Sequence, residues 1–311
     1  MKKLLLNPGK IFKFAILFGA LLYGSVQARN SVTMLDDKLV IHFDDRHRKL
    51  VNELERATRQ RRQKMYAFFD ARDTTPVQIY LTRFEATYRK LVEKGIPEWA
   101  QAVAIPERRF IVIKVTNAEE IRRLPQVFLH ELAHVYLHDY AVSAIPVWLH
   151  EGVAQWLSME QLSPDEKLRI GNALAANRLI DFEAMDSLLA FPAGKAGLAY
   201  DLAYTAVEFL TRQYGVSGLR GLLHQWQAGQ SYDANFMRIV GRDFIDFEVS
   251  WYAWLEKQYR WMVLLNVENL VLLAFVVLFA LALARLKWRN HKKKAQWQRE
   301  DQFMDDEKEP E

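Results

Sequence analysis

The sequence contains no cysteine, and that absence excludes a disulfide scaffold, a thiolate zinc module and a cysteine nucleophile together. Any metal must therefore be held by histidine, aspartate or glutamate. A chain without thiols suits an oxidising compartment, although cytosolic chains also dispense with them. Glycine and proline are sparse, 13 and 9 among 311 residues, which excludes a collagen-like chain. With 50% hydrophobic and 26% charged residues the composition is globular, and a disordered chain is excluded. A large excess of one charge is missing too. The net charge is only +4, and the densest basic cluster abuts an apolar segment, so nucleic acid is a poor candidate partner. No internal repeat is visible.

Long apolar runs occur only at the two ends. Lys2, Lys3, Lys10 and Lys13 precede an apolar stretch from Phe14 to Val26, and Val26-Gln27-Ala28 follows it before Arg29. This is the pattern of a secretory signal over residues 1–28, and an uncleaved anchor would export the chain equally. Near the other end, residues 261–284 are interrupted only by Asn266, Glu268 and Asn269 and would rise about 36 Å as a helix. The expectation is a transmembrane helix, with a buried helix of a soluble domain as the competing reading. Arg285, Lys287, Arg289 and Lys292 to Lys294 follow directly, while Trp251, Trp254 and Trp261 precede it. Basic flank and aromatic belt favour the span and put the C-terminus in the cytoplasm.

Four parts result: a signal over 1–28, an extracytoplasmic domain over 29–260, a span over 261–284, and a basic then acidic tail over 285–311. The tail has little to form a core and is expected to be disordered. Its basic cluster suits contact with anionic lipid. The implied location is the plasma (inner) membrane, single-pass, with the 29–260 domain in the periplasm or outside the cell.

Within that domain, Lys38 to Phe43 reads as a strand, Asp44 or Asp45 as the N-cap of a helix reaching about Phe69, and Val77 to Leu81 as a second strand. Leu50, Leu54, Ala57, Met65 and Phe68 give the helix an apolar stripe. Arg46, Arg48, Arg56, Arg59, Arg61, Arg62 and Lys64 read as its solvated face. Phe110 to Val115 is a third strand, after a helix and a loop punctuated by glycine and proline. Beyond residue 118 the pattern is helix after helix, broken at Pro146, Pro164, Pro192, Gly215 and Gly241. The fold class is α+β, a small N-terminal sheet followed by a mostly helical part.

The chemistry concentrates at His130, His134, His138 and His150. His130-Glu131-Leu132-Ala133-His134 is an H-E-x-x-H motif. Residues four apart on a helix lie one turn above each other, so both imidazoles can reach one zinc ion while Glu131 addresses its water. Pro125 sits where that helix can begin, and Val127 to Leu129, Leu132, Ala133 and Val135 to Leu137 make it apolar almost all round, as a buried active-site helix would be.

A catalytic zinc takes three protein ligands and keeps one position open. Pro146-Val147-Trp148-Leu149-His150-Glu151-Gly152-Val153-Ala154-Gln155-Trp156 starts a second helix after a loop and can aim Glu151 at the metal, completing a His2Glu set. His138 is the competing ligand. A metzincin would need glycine and histidine where this chain has Leu137 and Tyr140. His138 and His150 therefore read as residues around the site or on the surface.

His130 to His134 followed by Pro146-x-Trp148-Leu149-x-Glu151-Gly152-x-Ala154 resembles the peptidase-MA-like metallohydrolases of the gluzincin type. The resemblance extends more loosely from about Lys38 to Arg260 and takes in the Ala199 to Leu210 segment before Tyr214-Gly215. It implies a zincin fold and a Zn2+-dependent peptidase, with His130, His134 and Glu151 as ligands and Glu131 as catalytic acid/base. Tyr200, then Tyr204, are the candidates it offers for a second donor to the oxyanion. Two features depart from the family. Gln155 stands where many gluzincins carry an aspartate that orients a zinc-bound histidine. No G-x-M-E-N segment precedes the motif, and Gln101 to Val115 supplies the edge strand instead, so endopeptidase and aminopeptidase action both stay open.

The function expected is hydrolysis of a peptide or protein substrate on the extracytoplasmic side. The alternative is a zincin-fold module of the cell envelope that binds or assembles without turnover, which need not have kept Glu131. An intramembrane protease does not fit, because the motif lies far ahead of the C-terminal span. Substrate identity and oligomeric state are not legible.

Overall fold

A computed structural model of the protein describes residues 30–71, 75–91, 100–158, 161–265 and 267–306. The signal expected over residues 1–28 lies outside them. The chain divides into two compact units, Met1–His138 and Asp139–Glu311. The mixed α and β class with its small N-terminal sheet is observed.

The first unit is built on a five-stranded sheet in the order β1-β2-β3-β5-β4, with β1 Asn30–Asp36, β2 Leu39–Asp44, β3 Val77–Thr82, β4 Ala102–Ile105 and β5 Phe110–Lys114. β2, β3 and β5 run parallel, and the two outer strands, β1 and β4, pair antiparallel with their neighbours. β4 is the edge strand expected within Gln101 to Val115. Alternation places Leu39, Ile41, Phe43, Val77, Ile79, Leu81, Ile111 and Ile113 in the core at 5% exposure or less. β1 was not expected. It forms a hairpin with β2 through Asp37 and Lys38, and the Asp36 carboxylate accepts the Lys38 N–H at 3.0 Å.

Between β2 and β3 runs α1, Arg48–Phe69, entered through a tight turn that Asp44 caps by accepting the Arg46 N–H at 3.0 Å. Its inner stripe is Val51, Leu54, Thr58, Arg62, Met65 and Phe69, spaced by three and four. This corrects the expected stripe, since Ala57 faces solvent, and it corrects Arg62, expected on the solvated face and found 1% exposed. Arg62 is buried because it is paired: Nε donates to Asp36 at 3.2 Å and Nη1 to the Thr58 hydroxyl at 2.7 Å, while the Tyr66 hydroxyl donates to the same Asp36 oxygen at 3.0 Å. The short helix α2, Glu85–Leu91, follows β3.

After β5 the chain enters α3, Ala118–Tyr140. Pro125 lies two turns inside it, not at its start as expected. The start is fixed upstream, where Asn117 accepts the Glu120 N–H at 2.9 Å and the Glu120 carboxylate accepts the Thr116 N–H at 2.5 Å. These caps outweigh the one internal hydrogen bond that proline removes.

The second unit is helical: α4 Val147–Ser158, α5 Pro164–Ala175, α6 Phe182–Met185, α7 Ala193–Gln225, α8 Tyr232–Val240, α9 Phe244–Tyr259 and α10 Val267–Asp306. The helices begin where short side chains cap them. Ser163 and Glu166 form a reciprocal capping box on α5, Ser231 caps α8, and Asp243 caps α9. Gly241 ends α8 at φ 72°, and Gly215, at φ 71° and ψ 173°, breaks α7. The core is aromatic. Phe182 stands 4.7 Å from both Trp148 and Trp251, centroid to centroid, and Phe236 stands 4.9 Å from Phe244.

The expected span and tail are changed in two ways. Residues 260–265 form a 3-10 turn and the helix starts only at Val267, so 261–284 is not one helix. The tail expected to be disordered continues α10 as far as Asp306, since its Lys, Arg, Gln, Glu and Ala residues readily extend a helix already nucleated. Among the described residues no helix is long and apolar enough to cross a membrane. The described apolar side chains from Leu273 to Ala284 cover a rise of about 18 Å. The side chains of 265–270 and 272, which belong to the expected span, lie outside the described residues.

Candidate metal centre

The motif helix α3 carries its histidines as the spacing requires. The Nε2 atoms of His130 and His134 are 3.1 Å apart, and their rings cross at 89°. Two nitrogens bound to one zinc at about 2.0–2.1 Å in a tetrahedron are separated by about 3.3 Å, so the pair presents an edge of that polyhedron. Leu132, Ala133, Val135 and Leu137 around them are fully buried, and His134 is 9% exposed. Glu131 lies between the two histidines in sequence and is half-buried. His138, the competing ligand, is exposed near the helix end.

One residue here was not singled out in the sequence. Tyr88 on α2 is 5% exposed, with the Lys114 ammonium 5.2 Å from its ring centroid and the Glu85 carboxylate 2.8 Å from that ammonium. Burial holds its phenol neutral well above the ordinary range, and the charges of Glu131 and Glu85 add to the effect. No sequence signal marks Tyr88, because α2 has no motif and the neighbourhood of Glu131 is made by the fold.

Helix α4 carries Glu151, 6% exposed. Gly152 follows it because nothing larger fits: a Cβ there would lie 2.5 Å from the Ala203 carbonyl oxygen and 2.8 Å from Val207 Cγ2 on α7. The first turn of α4 has no capping side chain of its own, since Pro146 precedes it. The Asp186 carboxylate, just past α6, accepts the N–H of Val147 at 2.8 Å and that of Trp148 at 3.4 Å. His150 stands beside the ligand candidate, its Nδ1 3.8 Å from Glu151 Oε1. Gln155, at the position of the family's orienting aspartate, keeps its Oε1 buried with no hydrogen-bond partner among the described residues.

His130, His134 and Glu151 form a group that could hold a metal ion, each offering one ligand atom within 4.8 Å of the others. Two imidazoles and a carboxylate are a zinc donor set, with His134 and Glu151 buried and His130 partly exposed, so the residues fit the ion. Of the two tyrosines, Tyr200 on α7 is half-exposed. Tyr204 is 3% exposed, and its hydroxyl is pushed up to about 12 by burial and the charge of Glu208. Tyr204 and Glu208 in turn help hold the buried Tyr259 phenol neutral.

The peptidase MA superfamily profile matches residues 57–257, a stretch that includes α3, α4 and α7. No curated protein matches the chain.

Proposed function

Because the chain belongs to the peptidase MA superfamily, we propose that it is a zinc-dependent metallopeptidase, tethered to the plasma (inner) membrane and hydrolysing peptide bonds on its outer side. The convergence of His130, His134 and Glu151 carries this reading. The three would hold Zn2+, which supplies a Lewis acid able to activate water near pH 7 and to polarise a carbonyl.

The chain's own residues supply the proton chemistry. Glu131, beside the ligands, takes the proton of the attacking water, holds it on its carboxylate and delivers it to the leaving amine nitrogen. Tyr200 is the candidate donor to the carbonyl oxygen as negative charge develops there. It is preferred over Tyr204, which is buried beside Tyr259 and Glu208.

The tether rests on α10. Its consecutive side chains Phe275, Val276, Val277, Leu278 and Phe279 point to all sides and are 49–67% exposed, an arrangement that water disfavours at about 25 cal/mol per Å2 and hydrocarbon does not. The basic residues 285–294 beyond them give the orientation, C-terminus inward.

The deciding experiment is zinc analysis of the full chain in detergent, followed by cleavage of a mixed peptide library by wild type and Glu131→Gln. About one zinc per chain is expected, with chelator-sensitive cleavage that falls roughly 10^2- to 10^4-fold in the variant. Zinc without cleavage would favour the non-catalytic envelope module, and a folded chain that takes up no zinc would overturn the site.

A further inference from the structure

Glu151 is the most remote of the three candidate ligands in sequence, and it sits in the first turns of a helix that cannot cap itself. A helix N-terminus leaves its first N–H groups without partners, and Pro146 offers no side-chain acceptor to them. Asp186, 39 residues downstream of Val147, fills that role: one oxygen accepts from Val147 and Trp148, and the other accepts the hydroxyl proton of Tyr232. The Tyr232 ring is itself packed 4.7 Å from that of Phe244 and 5.8 Å from that of Trp226, centroid to centroid, so tyrosine and aspartate are held together beside the start of α4. A carboxylate at this end of a helix also meets the positive pole of its dipole.

A second constraint acts one turn later, where Gly152 brings the α4 backbone against Ala203. Glu151 lies between the two. With the helix start held by Asp186 and its flank seated on α7, both the depth and the rotation of α4 about its axis are fixed. The direction of the Glu151 side chain is then fixed as well.

We propose that Asp186 is a positioning residue for the third metal ligand, and that Tyr232 orients Asp186 for that task. This rests on the zinc reading above, but the clamp can be tested apart from it. The substitutions are Asp186→Ala, Asp186→Asn and Tyr232→Phe in the full chain, with Leu219→Ala as a control that weakens the same unit away from the clamp. Two quantities are read well below the melting temperature: hydrogen exchange of the Val147 and Trp148 amides without metal, and zinc affinity by competition with a chelator.

Asp186→Ala is expected to speed exchange at both amides at least tenfold and to weaken zinc binding about 10- to 100-fold. Asp186→Asn keeps an acceptor oxygen and falls between it and wild type. Tyr232→Phe shows a smaller loss, and Leu219→Ala loses stability with zinc affinity unchanged. The proposal is overturned if Asp186→Ala exchanges these amides as slowly as wild type, or if it is folded and binds zinc within twofold of a wild type that binds it. If wild type itself binds no zinc, the metal reading fails and the exchange result alone decides the clamp.

Discussion

The imidazoles of His130 and His134 stand edge to face, Nε2 to Nε2 at 3.1 Å, on consecutive turns of one buried helix. Two basic nitrogens held this close repel if both are protonated, so the arrangement is one that a bound cation would stabilise. Zinc should therefore raise the melting temperature of wild type, by about 4 kcal/mol of stability at a thousandfold excess over Kd. His134→Ala should abolish that gain and make the protein indifferent to a chelator. Thermal denaturation with and without metal checks both.

Gly152→Ala tests how tightly α4 is seated. The new methyl would meet the Ala203 carbonyl oxygen, a backbone atom that cannot rotate away. The expected cost is about 1–3 kcal/mol, seen as an earlier urea midpoint, together with weaker zinc binding because Glu151 moves with the helix.

Arg62 and Arg59 lie on the same helix and both pair with carboxylates, yet they should respond differently. Arg62→Ala leaves Asp36 and Tyr66 facing a buried void and should destabilise by roughly 3 kcal/mol. Arg59, 70% exposed in its pair with Glu55, should cost no more than about 0.5 kcal/mol when replaced by alanine. Denaturant titration of the two variants side by side gives the comparison.

Asp201 gives a pH dependence. Burial raises its pKa to about 6, against the lowering effect of Arg169, whose Nε lies 2.6 Å from the carboxylate. An acid that keeps its proton longer folded than unfolded favours folding most at low pH. That contribution is present below about pH 4 and is lost as pH rises towards 6. Asp201→Asn removes it, so the stability of the variant relative to wild type should increase between pH 4 and pH 6. Denaturant titrations at several pH values across that window measure the trend.

Much of this architecture was legible because local chemistry agreed with the final structure. Pro164 after Ser163, and Gly241, mark helix ends that the structure keeps, since a cap or a left-handed residue acts within a few positions of itself. The strands from Leu39, Val77 and Phe110 were visible through their apolar runs. The histidine pair was readable for the same reason, its geometry being that of a single helical turn.

What escaped depends on partners distant in sequence. β1 has exposed Val32 and Met34 and little alternation to mark it, and its existence follows from pairing with β2. Arg62 looks solvated until Asp36 is placed beside it. Asp186 reads as an ordinary polar residue of a turn, and nothing local connects it to Val147. Pro125 signals a helix start to a short window, whereas the cap that sets the start lies at Thr116 to Glu120.

The break at Gly215 divides α7 by task. Its leading half seats α4 through Ala203 and Val207, and its trailing half brings Arg220 and His224 onto Tyr140, with Arg220 Nε 3.1 Å from the phenol oxygen and His224 Nδ1 3.1 Å from the backbone carbonyl. In an unbroken helix, adding or deleting one residue turns everything beyond it by about 100°. At Gly215 that phase is broken, so the face of the leading half that seats Gly152 and the face of the trailing half that meets Tyr140 are not tied to one helical register.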